Sequence, residues 1–141
     1  MMCSIILDTL SHTYLQLPLS IVIGFVGSTI PELRMLTELT IEYGSPFNDV
    51  LYGISICISK LPVIETLRNK MVNVDGDIHL LVDNMVQLDA LESTNIKWSV
   101  FIKVDTGYHR AGVTCDDQGV LIAAKIIESM NLSLKGLYSH W

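Results

Sequence analysis

"VFIKVDTGYHRAGV", residues 100–113, alternates apolar and polar-facing positions like a strand and then breaks into a turn carrying Gly107 and Gly112. Alternation puts Val100, Ile102 and Val104 on one face, and Phe101, Lys103 and Asp105 on the other. An ammonium and a carboxylate therefore share one side of an otherwise apolar strand. Burying either costs on the order of several kcal/mol unless it is paired. Two readings follow: a structural ion pair, or a strand face that lines a polar cavity. Gly107 and Gly112 permit positive φ or close approach by a ligand. Arg110, between them, offers a planar fork of donors suited to a carboxylate, phosphate or phenolate oxygen. Tyr108 and His109 read as loop residues without an assigned role.

Four further β-branched or aromatic runs resemble this strand: "SIVIGFVGS" from Ser20, "DVLYGISIC" from Asp49, "DIHLLVD" from Asp77 and "LKGLYSH" from Leu134. Helical patterns separate them. Thr29, Pro31 and Glu32 fit a capping box with proline in the first turn; Leu33, Leu36 and Leu39 recur on one face until Gly44 ends the helix. Ser59 is the start signal of a second helix, ahead of Pro62, Ile64, Leu67 and Met71. Asn84 with Gln87 opens a third with Met85, Leu88 and Leu91. Asp116 and Asp117 open a fourth, whose apolar stripe reads as Val120, Leu121, Ala124 and Ile127.

Strands alternating with single amphipathic helices at roughly 30-residue spacing predict an α/β fold with a parallel sheet covered by helices. A doubly wound sheet and a (β/α)8 barrel look alike locally. Both place their sites at the carboxyl ends of strands, where Ser28, Thr29, Ser59, Lys60, Asp83, Asn84, Asp105 to Arg110, Ser139 and His140 fall. Neither G-x-G-x-x-G after the first strand nor a Walker A sequence occurs, which favours the barrel. His140 can stack on a ring, donate a hydrogen bond, or bond only to backbone.

The chain has 141 residues, half of them hydrophobic and 17% charged, with a net charge of -6. That composition implies a buried core, and the charge gives no basic field for nucleic acid. Cys3, Cys57 and Cys115 are odd in number and dispersed, which predicts a reducing, cytoplasmic setting without a disulfide framework or zinc site. The run "LPLSIVIGFVG", residues 17–27, is shorter than the about 20 residues needed to span a bilayer, so it reads as a buried strand and no membrane association is expected.

Taken together, "VFIKVDTGYHRAGV", "DVLYGISICISKL", "HLLVDNMVQLDAL" and "LKGLYSH" resemble the D-serine dehydratase and D-threonine aldolase family. These enzymes carry an alanine racemase-like, fold-type III pyridoxal phosphate (PLP) barrel. The resemblance divides the chain into a divergent N-terminal segment, 1–20, and a partial TIM-like (β/α)8 barrel domain, 21–141, with about five parallel strands. It implies a cofactor site of Arg110 at the phenolic oxygen, Lys103 helping to position that arginine, and Tyr138 and His140 lining the pocket. It also implies a lyase that eliminates water and ammonia from a D-3-hydroxy amino acid such as D-serine, or an aldolase-type retro-aldol lyase.

The family's Schiff-base lysine belongs to a first-strand segment, yet the first twenty residues hold neither lysine nor arginine. Neither Lys60 nor Lys103 occupies that position. The glycine-rich phosphate cup and the C-terminal domain with its zinc ligands are not in this sequence either. The expectation is a truncated chain, inactive alone, with no catalytic residue assigned. A non-catalytic PLP-binding or interaction fragment is the alternative. Five strands of eight also leave apolar edges, which suggests a homo-oligomer or association with a full-length relative.

Overall fold

The computed structural model describes residues 24–45, 47–114 and 116–139. Residues 1–20 and most of the first apolar run lie outside the described residues. Five strands form one parallel sheet: β1 (Phe25–Gly27), β2 (Asp49–Ser55), β3 (Asp77–Val82), β4 (Trp98–Lys103) and β5 (Leu132–Tyr138). Four helices intervene: α1 (Ile30–Tyr43), α2 (Leu61–Val72), α3 (Met85–Ser93) and α4 (Asp117–Glu128). A short 3₁₀ turn, Ile58–Lys60, leads into α2.

The spatial order is the chain order, β1-β2-β3-β4-β5, with every pair parallel. A doubly wound sheet reverses its order at a switch point; this one does not, so it is an arc of a barrel wall. Val50, Tyr52, Ile78, Leu80, Val82, Val100 and Ile102 meet Leu33, Leu36, Ile64, Leu67, Leu88, Leu91, Ile122 and Ile126 in one core. Leu51 and Leu81 are buried outside that cluster, as period-two alternation requires of residues on the opposite face.

Local signals explain most helix starts. The Thr29 hydroxyl accepts from the Glu32 amide at 3.3 Å, and the Glu32 carboxylate accepts from the Thr29 amide at 2.9 Å, completing the capping box. Asn84 accepts from the Gln87 amide at 3.1 Å. Asp116 caps α4 through the Gln118 amide at 3.0 Å.

Two expectations are corrected. Ser59 does not cap α2; its hydroxyl lies 3.2 Å from the Cys57 sulfur, and the helix grows out of the 3₁₀ turn with Lys60 at its N-cap. In α4 the buried positions are Ile122 and Ile126, one helical turn apart, while Val120, Leu121, Ala124 and Ile127 are exposed. This helix is apolar on more than one face, so periodicity alone cannot choose which face meets the sheet.

Candidate functional site

The face that alternation assigned to Phe101, Lys103 and Asp105 is the less buried one in β4 and its extension, while Val100, Ile102 and Val104 are buried. Parallel pairing sets Lys103 opposite Tyr138 and Phe101 opposite Gly136. Lys103 and Tyr138 are both half-buried. Among the described residues, neither the Lys103 ammonium nor the Tyr138 hydroxyl has a hydrogen-bond or ion-pair partner. Among the described residues, the ion-pair reading of strand β4 finds no partner for Lys103.

Asp105 is engaged elsewhere. One carboxylate oxygen accepts from the Gly107 amide at 2.9 Å and the His109 amide at 3.0 Å; the other lies 3.4 Å from His109 Nδ1. The Gly107 amide holds this carboxyl below its ordinary range, with the His109 amide and ring adding to it, against the opposing effect of burial.

The loop that follows is closed at its base. Val104 bridges Val113, the Asp105 amide donates to the Val113 carbonyl at 2.9 Å, and the Val113 amide to the Lys103 carbonyl at 2.8 Å. The hydroxyls of Thr106 and Ser139 lie 2.8 Å apart, tying the loop to the end of β5. Arg110 is carried on this loop, exposed, and its guanidinium has no partner among the described residues.

Lys103, Arg110 and Tyr138 thus share the carboxyl edge of β4 and β5. His140 lies outside the described residues. Tyr108 is 67% exposed, as a loop residue without a role would be. Lys60 is drawn away: its ammonium donates to the Tyr52 hydroxyl at 3.0 Å, the contact that chiefly raises its pKa.

Two groupings were not read from the sequence. At the carboxyl ends of β2 and β3, the Ser55 hydroxyl donates to Asp83, whose other oxygen accepts from Asn84 at 2.9 Å. Lower in the sheet, His79 Nε2 lies 2.8 Å from the Asp49 carboxylate and Nδ1 2.6 Å from the Ser99 hydroxyl. The carboxylate can only accept, so Nε2 carries the proton and, in the neutral ring, Ser99 donates to Nδ1. His79 and Ser99 are both buried, so this serine is a structural partner of the ring. His79 and Ser99 meet through the register of β3 and β4, which sets Leu80 opposite Val100. Among the described residues no group of three or more His, Cys, Asp or Glu gathers to hold a metal. No helix there is long and apolar enough to cross a membrane.

Residues 55–141 match the alanine racemase N-terminal domain. The chain is 37% identical over 141 residues to the D-serine dehydratase of Schizosaccharomyces pombe, covering 94% of this chain and 32% of that protein. An alanine racemase-like protein from Idiomarina loihiensis superposes with a TM-score of 0.63 at 29% identity, over 82% of this chain and 28% of that one. D-threonine aldolase from Filomicrobium marinum superposes with a TM-score of 0.62, over 82% of this chain and 29% of that one; at 19% identity this is a likeness of fold. The chain spans about a third of the length of these relatives. Five consecutive parallel strands, and a family match that covers the loop and both edge strands of the candidate site, place this chain in the alanine racemase N-terminal domain family.

Proposed function

We propose that this chain supplies one wall of a PLP site in a D-serine dehydratase-like lyase. The observation that carries the reading is the carboxyl edge of β4 and β5: a half-buried ammonium opposite a phenol, with an exposed arginine on the loop that follows β4, none of the three given a partner among the described residues. A half-buried cation without a counter-charge is costly unless an anion meets it. The donor set fits the cofactor's anionic phenolic oxygen.

In this reading Arg110 donates to the phenolic oxygen, Lys103 orients that arginine and adds positive charge, and Tyr138 and His140 border the ring. PLP, when bound, supplies the electron sink for the electrons released at the substrate's α-carbon. Fixed cations near the phenolic oxygen stabilise negative charge that builds there, at no cost of reorganisation during reaction. Phe101, beside Lys103 on the same face, excludes water from the floor beneath. Residues 21–141 act as a partial barrel domain that functions with the rest of a barrel, whether from a longer chain, a second copy or a full-length relative, in the cytoplasm.

Elimination of water and ammonia from a D-3-hydroxy amino acid is favoured over retro-aldol cleavage, because the dehydratase likeness holds at 37% identity and the aldolase likeness only in fold. The test is a chimera in which residues 24–139 replace the matching segment of the Schizosaccharomyces pombe relative. It is expected to load PLP and release pyruvate from D-serine, and Arg110→Ala within it to lower that rate at least about a hundredfold, as loss of one charge-stabilising donor does. A chimera that loads PLP but forms no pyruvate overturns the dehydratase reading; glycine from D-threonine would mark an aldolase.

A further inference from the structure

We infer that Asp105 is a further positioning residue for Arg110, one that acts on the backbone by holding the loop in the shape that presents the guanidinium at the edge of the sheet; the inference rests on the PLP-site reading above. The loop is costly to form. Gly107 has φ +111°, His109 φ +52° and Gly112 φ +117°, three left-handed residues within six positions, one of them not glycine. Such backbone persists only where its surroundings over-determine it.

Asp105 provides that determination from the inside. Its side chain is only 10% exposed, although the loop it holds is largely exposed. Its carboxylate reaches forward to the amides of Gly107 and His109, on either side of Tyr108, and to the His109 ring, so the segment immediately before Arg110 is fastened at two backbone positions and one side chain. Its own amide is fastened to Val113, beyond Arg110. One residue therefore pins the chain on both sides of the arginine while touching no part of the guanidinium.

The carboxylate, not the ammonium of Lys103, is what the turn requires. A charged acceptor binds backbone N–H groups more strongly than a neutral one. An asparagine keeps an acceptor oxygen at the same reach but loses the charge, and an alanine loses both. Preformed geometry matters because a misplacement of about 1 Å in a positioned donor is costly to function.

The experiment is a double-mutant cycle on the full chain, read by affinity for 4′-deoxypyridoxine 5′-phosphate. This PLP analogue lacks the aldehyde and so cannot link to surface lysines. Amide exchange at Gly107 and His109 is followed alongside. Asp105→Ala is expected to weaken binding about tenfold, close to the effect of Arg110→Ala, and to add nothing when combined with it. Asp105→Asn should fall between Asp105→Ala and wild type. Protection of both amides should drop in Asp105→Ala, with a modest fall in the thermal midpoint and the fold retained. Effects that multiply in the double variant, or unchanged affinity in Asp105→Ala, would overturn the inference. If the wild type binds no analogue, the site reading fails by itself; the positioning role is then decided by the Arg110 Nε–H relaxation, which must show greater mobility in Asp105→Ala or the role is refuted.

Discussion

Tyr138 lies opposite Lys103 in the parallel register of β5 and β4, at the carboxyl end of both strands, with neither polar group satisfied by a partner among the described residues. Strand alternation alone makes Lys103 face the same side as Phe101; only register makes Tyr138 its neighbour. A site assembled this way asks for an anion, which leads to a first expectation.

Lys103→Met keeps the aliphatic stem and removes the charge. Affinity for the PLP analogue should fall about tenfold, on the order of one lost charge-assisted contact. The thermal midpoint should stay level or rise, because a half-buried cation with no partner among the described residues contributes nothing to the apo fold. Analogue titration and a thermal melt on the same preparation decide it; a large loss of stability would mean that Lys103 has a structural partner after all.

Gly112→Ala strikes the base of the loop. A Cβ there would lie 2.7 Å from the Asp105 amide nitrogen, 2.8 Å from the Val104 carbonyl carbon and 3.0 Å from the Lys103 oxygen, all backbone atoms that cannot give way cheaply, at φ +117°. Destabilisation of about 2 kcal/mol or more is expected from the strain and the clash. Urea denaturation measures it, and an unchanged midpoint would show that the loop base is less tightly closed than its geometry.

His79→Ala removes a ring that bridges Asp49 and Ser99 in the buried part of the sheet and meets the Phe101 ring edge-on at a centroid distance of 5.8 Å. The variant leaves the buried Ser99 hydroxyl without this partner and opens a cavity, at a cost of about 2–4 kcal/mol. Urea denaturation reads the loss, and Ser99→Ala should cost less, since it deletes the smaller partner.

Acid pH tests Asp105 by its sign. Its folded pKa is depressed, first by the Gly107 amide, so its contribution is fully present above the unfolded value of about 3.9 and is lost as pH falls through the lower folded value. The stability difference between wild type and Asp105→Asn should therefore shrink as pH falls from about 5 to below about 4. Melting midpoints across that range check it; a gap that widens on acidification contradicts the sign.

The local parts of this fold are legible in the sequence because their causes are local. Thr29 and Glu32 cap each other three residues apart, and the alternation of β4 sorts buried Val100 and Ile102 from less buried Phe101 and Lys103 correctly. The face of α4 is not legible. Seven apolar residues, Val120 to Ala124 with Ile126 and Ile127, surround the helix, and Ile122 and Ile126 win over Val120, Leu121 and Ile127 through contacts with the sheet that no single-helix pattern contains. At the candidate site Arg110 stands out by its residue type between two glycines. The role of Asp105 does not, because its partners are backbone amides in a loop shape that no residue pattern announces. His79 is hidden for a different reason: Asp49 and Ser99 lie 30 and 20 residues away in the chain, and register alone joins them.

The most direct test of the central claim is equilibrium titration of the wild-type chain and Arg110→Ala with 4′-deoxypyridoxine 5′-phosphate. The account predicts saturable one-to-one binding by the wild type and affinity about tenfold weaker in Arg110→Ala, with the two proteins equally folded. Equal affinity in both, or no saturable binding by a folded wild type, would contradict it.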